Sequence, residues 1–227
     1  MALQELHDDR LSPLGHGQGL ASEEADRIHR FGLTERLLHW WIVAMFGAAL
    51  LTGLAMGDEA ESGALLRLHI GSVVLIGVGI VLALVFGDSL AVLRSAKDLF
   101  MIDKTDVRFV TDVVRHPGQD GHVRWGKFNI GQKFLAWALV GSLAAIIVTG
   151  INSWHAGEGA SGPHAAAVVV AIVLLGAHVF MALINPTTRP ALPGMIFGHV
   201  RRTWAARHHP AWLEAQDLRR SPKSPPH

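Results

Sequence analysis

Four stretches of this chain hold no Asp, Glu, Lys or Arg at all: Leu37–Met56, Leu68–Phe86, Phe134–Asn152 and Ala165–Ile184. Each is about the length a helix needs to cross a bilayer, roughly 17–25 residues. Charged residues make up 17% of the chain, yet they avoid these windows completely. A soluble helical core rarely builds four uncharged runs of this length, and Trp and Gly are frequent in and around them, as in transmembrane helices. The predicted fold class is therefore an all-α membrane protein, a bundle of four transmembrane helices.

The basic residues orient it. Arg10, Arg27, Arg30 and Arg36 precede the first window, eight more lie between the second and third, and seven follow the fourth, so that 19 of the 20 Lys and Arg residues share one side and only Arg67 lies on the other. The positive-inside rule then puts both termini and the long middle segment in the cytoplasm. The two outer connections are short and hold Asp58, Glu59, Glu61 and Glu158. With the charge so placed, the net +1 points to no nucleic-acid partner.

Residues 1–29 are polar, have no apolar core of the length a secretory signal needs, and read as a flexible cytoplasmic tail. Residues 30–215 form the four-helix unit, and 216–227, rich in Pro, Ser and basic residues, read as a disordered C-terminal tail. Cysteine is absent, which excludes disulfides, thiolate-bound iron–sulfur clusters and c-type haem linkage. Residues 89–116 have a loosely helical alternation of apolar and charged residues, ended by Pro117-Gly118 and Asp120-Gly121. Met195–His208 reads as one amphipathic helix on the cytoplasmic membrane surface or packed on the bundle.

Four histidines sit at the edges of the apolar windows. A titratable ring in an apolar helix is costly and marks a functional site. His39 opens the first span on the cytoplasmic side, His69 and His164 open the second and fourth on the outer side, and His178 lies near the cytoplasmic end of the fourth. His164 and His178 are 14 residues apart, which separates them by about 21 Å on nearly the same face of one helix. Depth permits one pairing, His39 with His178 and His69 with His164. Two such pairs suit the axial ligands of two stacked haem b groups, and ligation from both sides leaves no open iron position, favouring electron transfer. Gly53, Gly71, Gly77, Gly79, Gly141 and Gly150 remove bulk either for a planar macrocycle or for close helix packing.

The run Arg30-Phe31-Gly32-Leu33-Thr34-Glu35-Arg36-Leu37-Leu38-His39-Trp40 resembles the start of bacterial di-haem cytochrome b subunits. Gly126-Lys127-Phe128-Asn129-Ile130-Gly131-Gln132-Lys133 resembles a motif of the formate dehydrogenase gamma subunit, with Phe128 where that family has Tyr. The 14-residue histidine spacing, Gly194-Met195-Ile196 and His208-His209-Pro210-Ala211-Trp212 are similar too, over approximately residues 28–215. This resemblance implies a membrane cytochrome b that takes electrons from an iron–sulfur (beta) subunit, itself served by a molybdopterin-containing catalytic (alpha) subunit. Two b haems would carry them to menaquinone or ubiquinone at the cytoplasmic side. It also implies a quinone pocket at Asn129, Gly131 and Gln132, although Asn129 is equally a good helix cap. The chain itself holds no formate-oxidising site.

Two other readings stay open. One is the cytochrome b of a hydrogenase or of a thiosulfate or polysulfide reductase. The other is a haem-free membrane anchor or transporter whose histidines bind only protons. The orientation is testable: reporter fusions after Glu61 and Glu158 should read as external, and those after Arg108 and Arg219 as cytoplasmic. An external signal from the Arg108 fusion would invert the assignment.

Overall fold

The computed structural model describes residues 26–56, 63–115, 123–156 and 162–220. The tail through residue 25, the acidic connections around Asp58 and Glu158, the turn signals at 117–121 and the last seven residues lie outside them. The fold is helical, with four helices long and apolar enough to span a membrane: α1 (Leu33–Met56), α2 (Gly63–Phe86), α5 (Ile130–Ala156) and α6 (Gly162–Leu183). They pack as two hairpins, α1 on α2 and α5 on α6. Their outward faces are bare: Leu51 is 69% exposed and Phe86 81%. At about 25 cal/mol per Å², such surface is stable against lipid and not against water.

All other described elements gather at one end, where α1 and α5 begin and α2 and α6 finish. Here α3 (Ser89–Phe100) and α4 (Lys104–Arg115) fill the middle segment. The helix α3 touches α1, α2 and α5, and so wedges the two hairpins together. After α6 the chain forms a short 3₁₀ turn, α7 (Leu192–Ile196), β2 (His199–Arg201), α8 (Arg202–His208) and α9 (Pro210–Arg220). The single amphipathic helix expected over Met195–His208 is thus broken. Gly198, at φ +89°, turns the chain where an added Cβ would meet the Phe31 carbonyl oxygen at 2.9 Å. The chain leaves this turn as β2, which pairs antiparallel with β1 (Arg27–His29) through Arg27–Arg201, Ile28–Val200 and His29–His199. Sequence patterning assigned residues 27–29 to the tail and ended the folded unit at 215, whereas α9 continues to Arg220.

This end holds the protein's hydrophobic core: Ile28, Val200, Trp204, Ala205, Trp212 and Leu213. Burying Ile28 and Val200, both under 2% exposed, contributes about 1.5–3 kcal/mol each. Helix starts here are capped by side chains. Glu35 accepts from Gly32 N (2.6 Å), Asp88 from Ala91 N (3.0 Å), and Asp103 from Thr105 N (2.7 Å). Asn129 and Gln132 cap α5 reciprocally: Gln132 N donates to Asn129 Oδ1 (2.9 Å) and Asn129 N to Gln132 Oε1 (3.1 Å).

A buried ion pair bolts α4 to α5. Lys133 Nζ lies 2.5 Å from Asp106 Oδ2 and 3.1 Å from Asp103, and Asp106 is 1% exposed. Burial alone would raise the Asp103 pKa, but the hydrogen bonds from Lys133 and from the Asp106 and Thr105 amides hold it below the usual carboxylate range. Removing one partner of a buried pair leaves the other charge uncompensated, a cost of about 3–5 kcal/mol. Lys133→Met should therefore lower the melting temperature in detergent markedly, and the double variant Lys133→Met/Asp106→Leu should recover most of the loss. Equal damage from the single and double changes would show that the pair is not coupled.

Candidate functional site

The structure brings the four histidines together in two pairs. The ring centres of His39 (α1) and His178 (α6) are 6.3 Å apart, and those of His69 (α2) and His164 (α6) are 6.4 Å apart. Both pairs cross from the first hairpin to the second. The separation has a chemical reading. With metal–imidazole bonds of about 2.0–2.1 Å on each side and about 1.1 Å from ring nitrogen to ring centre, two facing imidazoles sit about 6.3 Å apart.

The second pair is oriented by its surroundings. His69 Nδ1 lies 2.8 Å from Ala49 O, and His164 Nδ1 lies 3.1 Å from Ile146 O and 3.2 Å from Thr149 Oγ1. Bonding Nδ1–H to a carbonyl fixes the tautomer and leaves Nε2 as the free nitrogen. Each ring rests on a glycine four residues beyond that carbonyl. A Cβ on Gly53 would stand 3.2 Å from His69, and one on Gly150 would stand 3.1 Å from His164. The device recurs at the other level, where the Trp41 indole lies on Gly79 and donates to Leu75 O at 2.8 Å. Three of the glycines singled out in the sequence are therefore seats for rings. Gly71, Gly77 and Gly141 have nothing within 4 Å of where a Cβ would stand. These residues fit haem.

At the end where α5 begins and α6 finishes lies a polar-lined cavity of about 350 Å³. Asn129 and Gln132 line it, together with Trp125, Thr187, Arg207 and His208. Gly131 does not; it is exposed in the first turn of α5. The Asn129–Gln132 cap uses both side-chain oxygens, and among the described residues neither amide NH₂ group has a partner.

The motif at 126–133 is largely accounted for by contacts. Gly126 O accepts from His209 Nδ1 (2.7 Å). Lys127 Nζ donates to Ser95 Oγ (2.5 Å) and pairs with Glu35 (3.3 Å), while Ser95 also donates to Glu35, so that α1, α3 and the approach to α5 are joined. Burial lowers the Lys127 pKa despite this carboxylate. Phe128 faces the Arg30 guanidinium, which is 4% exposed and ringed by Phe31, Phe128, Trp204 and Trp212. Arg30 and His209 stand in runs that carry the family resemblance, but nothing local marks either as buried.

Four spans crossed by two facing histidine pairs define a membrane cytochrome of the b type. Residues 30–198 match the family model for prokaryotic cytochrome b561, and the chain belongs to that family. The family's cofactor is haem b. Among similar proteins is the nitrate-inducible formate dehydrogenase cytochrome b556(Fdn) subunit of Escherichia coli K12, 30% identical over 122 residues. That match covers 48% of this chain and only 55% of the relative's length. The formate dehydrogenase cytochrome b556 subunit of Haemophilus influenzae is 28% identical over 214 residues, covering 85% of this chain and 84% of that protein. The E. coli K12 cytochrome b556(fdo) subunit is 23% identical, with 82% and 92% covered.

His209 makes the core acid-sensitive. Burial first, and then Arg30, push its pKa from 6.5 down to about 3. Between those values the unfolded chain binds the proton and the folded chain does not, so stability is complete above about pH 6.5 and falls as pH drops toward 3, by about 1.4 kcal/mol per unit. Tryptophan fluorescence of the solubilised protein should report loosening around Trp204 and Trp212 on acidification, and His209→Asn should flatten that dependence.

Proposed function

We propose that this chain is the membrane cytochrome b subunit of a formate dehydrogenase complex, carrying electrons from an iron–sulfur subunit to a quinone. The observation that carries the proposal is the pair of facing imidazoles at each of two levels, 6.3 and 6.4 Å between ring centres. Relatives named as formate dehydrogenase subunits favour that complex over a hydrogenase or sulfur-compound reductase. His39 and His178 would hold one haem b, and His69 and His164 the other. Bound there, haem supplies one-electron transfer between the two membrane faces. The imidazoles keep their tautomers through the Ala49 and Ile146 carbonyls, and the lipid-facing apolar helices exclude water.

In this reading residues 27–220 form the working unit in a bacterial inner membrane, both termini are cytoplasmic, and the His39–His178 level is the inner one. The catalytic subunit holding molybdopterin lies outside this chain, which serves its iron–sulfur partner as anchor and acceptor. The cavity beside Asn129 and Gln132 takes menaquinone or ubiquinone. Its two amide NH₂ groups are donors matched to a quinone carbonyl, an assignment the sequence motif extended to Gly131 as well.

Haem content tests the pairs. The purified protein should give two haem b per chain by pyridine haemochrome, and His69→Ala or His164→Ala should reduce this to about one. A wild-type ratio near one, or no Soret band, sinks the assignment. The cavity is tested by changes that keep the helix cap: Asn129→Asp and Gln132→Glu retain the accepting oxygens and lose the NH₂ donors. Both variants should keep their haems and raise the quinone concentration needed for half-maximal haem reoxidation by about 5–150-fold, the range for a lost hydrogen bond of about 1–3 kcal/mol. Unchanged reoxidation would place quinone elsewhere.

A further inference from the structure

The cavity beside Asn129 has two histidines in its wall, and we infer that His208 is the acid that protonates the quinone there. The inference rests on the reading of this cavity as the quinone site and adds the proton donor.

The two rings are built differently. His208 closes α8, is half-buried, and donates from Nδ1 to the Trp204 carbonyl at 3.0 Å. Its ring lies on the Trp204 indole, with centres 5.3 Å apart and planes 20° apart. Held this way, the ring leaves Nε2 as the nitrogen that exchanges its proton. His209, next in the chain, is 1% exposed and commits Nδ1 to Gly126 O at 2.7 Å. Burial keeps it neutral, with a pKa of about 3, so it serves as a post for the cavity wall.

Among the described residues, the charged and titratable groups at this corner are Arg207 on the same helix as His208, His209, and Arg30 reaching it from beside β1. From the start of α5 and the end of α6 the facing groups are neutral, Asn129, Gln132, Thr187 and Thr188. Arg207 is exposed in the wall, where its fixed charge favours the negative charge that builds on a quinone oxygen during reduction. The balance is one quinone, two electrons delivered singly by a haem donor, and two protons, giving one quinol. His208 Nε2–H gives its proton to the near carbonyl oxygen, which becomes a hydroxyl. The neutral imidazole then takes a proton from the aqueous side, and the far oxygen takes its own from solvent through the cavity mouth.

The test uses the full haem-loaded chain in nanodiscs, reduced chemically and freed of excess reductant, then mixed with menadione in a stopped-flow instrument from pH 5.5 to 8.5. Wild-type reoxidation should slow as pH rises, because the reaction consumes protons. His208→Asn keeps a donor for the Trp204 carbonyl and has no Nε2. It should retain both haem spectra, lose about 100-fold or more in the saturating rate, as general acids contribute, and need no more than about twice the menadione. Its pH dependence should vanish, and added imidazole should restore part of the rate to His208→Ala. A wild-type rate and pH profile in His208→Asn overturns the inference. If Asn129→Asp and Gln132→Glu then still weaken menadione binding, the cavity stands and only the donor is wrong; if they too are silent, the cavity reading fails first. Loss of haem in both His208 variants would also overturn it, by making the residue structural.

Discussion

A single buried cation organises the end of the molecule from which the helices are hung. The Arg30 guanidinium lies 5.1–5.9 Å from the centres of four rings that come from four separate parts of the chain: Phe31 before α1, Phe128 before α5, Trp204 in α8 and Trp212 in α9. One hydrogen bond, Nη2 to the Lys127 carbonyl at 2.7 Å, anchors it, and among the described residues Nε and Nη1 have no partner. Burial lowers its pKa from 12.5 to about 10, so it remains charged at neutral pH. Desolvating a cation costs several kcal/mol. Four cation–π contacts of about 0.5–2 kcal/mol and a charged hydrogen bond of about 1.5–3 kcal/mol are of the size needed to offset that cost. Without the rings the buried charge would lack most of what offsets its desolvation.

The spans gain their relative positions from this end. Within the membrane the closest packing is inside each hairpin, and between the hairpins His39 faces His178 and His69 faces His164. The wedge of α3, the Lys133–Asp106 bolt and the Glu35–Ser95–Lys127 network, all at one end, tie the hairpins to each other. Charge does the positioning where water is near, and glycine does it where water is absent, by letting an imidazole or indole lie against a facing helix.

Much of this was legible in the sequence, and the reasons differ by feature. The spans could be read because exclusion of charge over some twenty residues is a local property. The histidine pairs could be read because depth in a bilayer reduces a three-dimensional question to one coordinate, and a 14-residue spacing fixes both depth and face. The glycines could be noticed but not assigned, since Gly53 and Gly150 seat rings from other helices while Gly71 faces open space, and no local signal separates the two. Asn129 and Gln132 posed a choice between capping and ligand binding that the structure dissolves: the oxygens cap and the NH₂ groups remain. Strands of three residues such as β1 and β2 carry no readable period, and Gly198 breaks a pattern that otherwise reads as one helix. The burial of Arg30 and His209 was illegible even inside the runs that carry the family resemblance, because it depends on partners far along the chain.

The pairing of β1 with β2 fixes an order of events during biosynthesis. Arg27 meets Arg201 across the sheet, so roughly 170 residues must be translated between the first strand and its partner, on the order of ten seconds or more at about 5–20 residues per second. Throughout that interval the hairpins can enter the bilayer, but Ile28, Arg30 and Phe31 have nothing to close on. The core that ties the first strand to the segment after α6 is therefore completed only after both hairpins have been made, and until then the two hairpins are joined only through the middle segment.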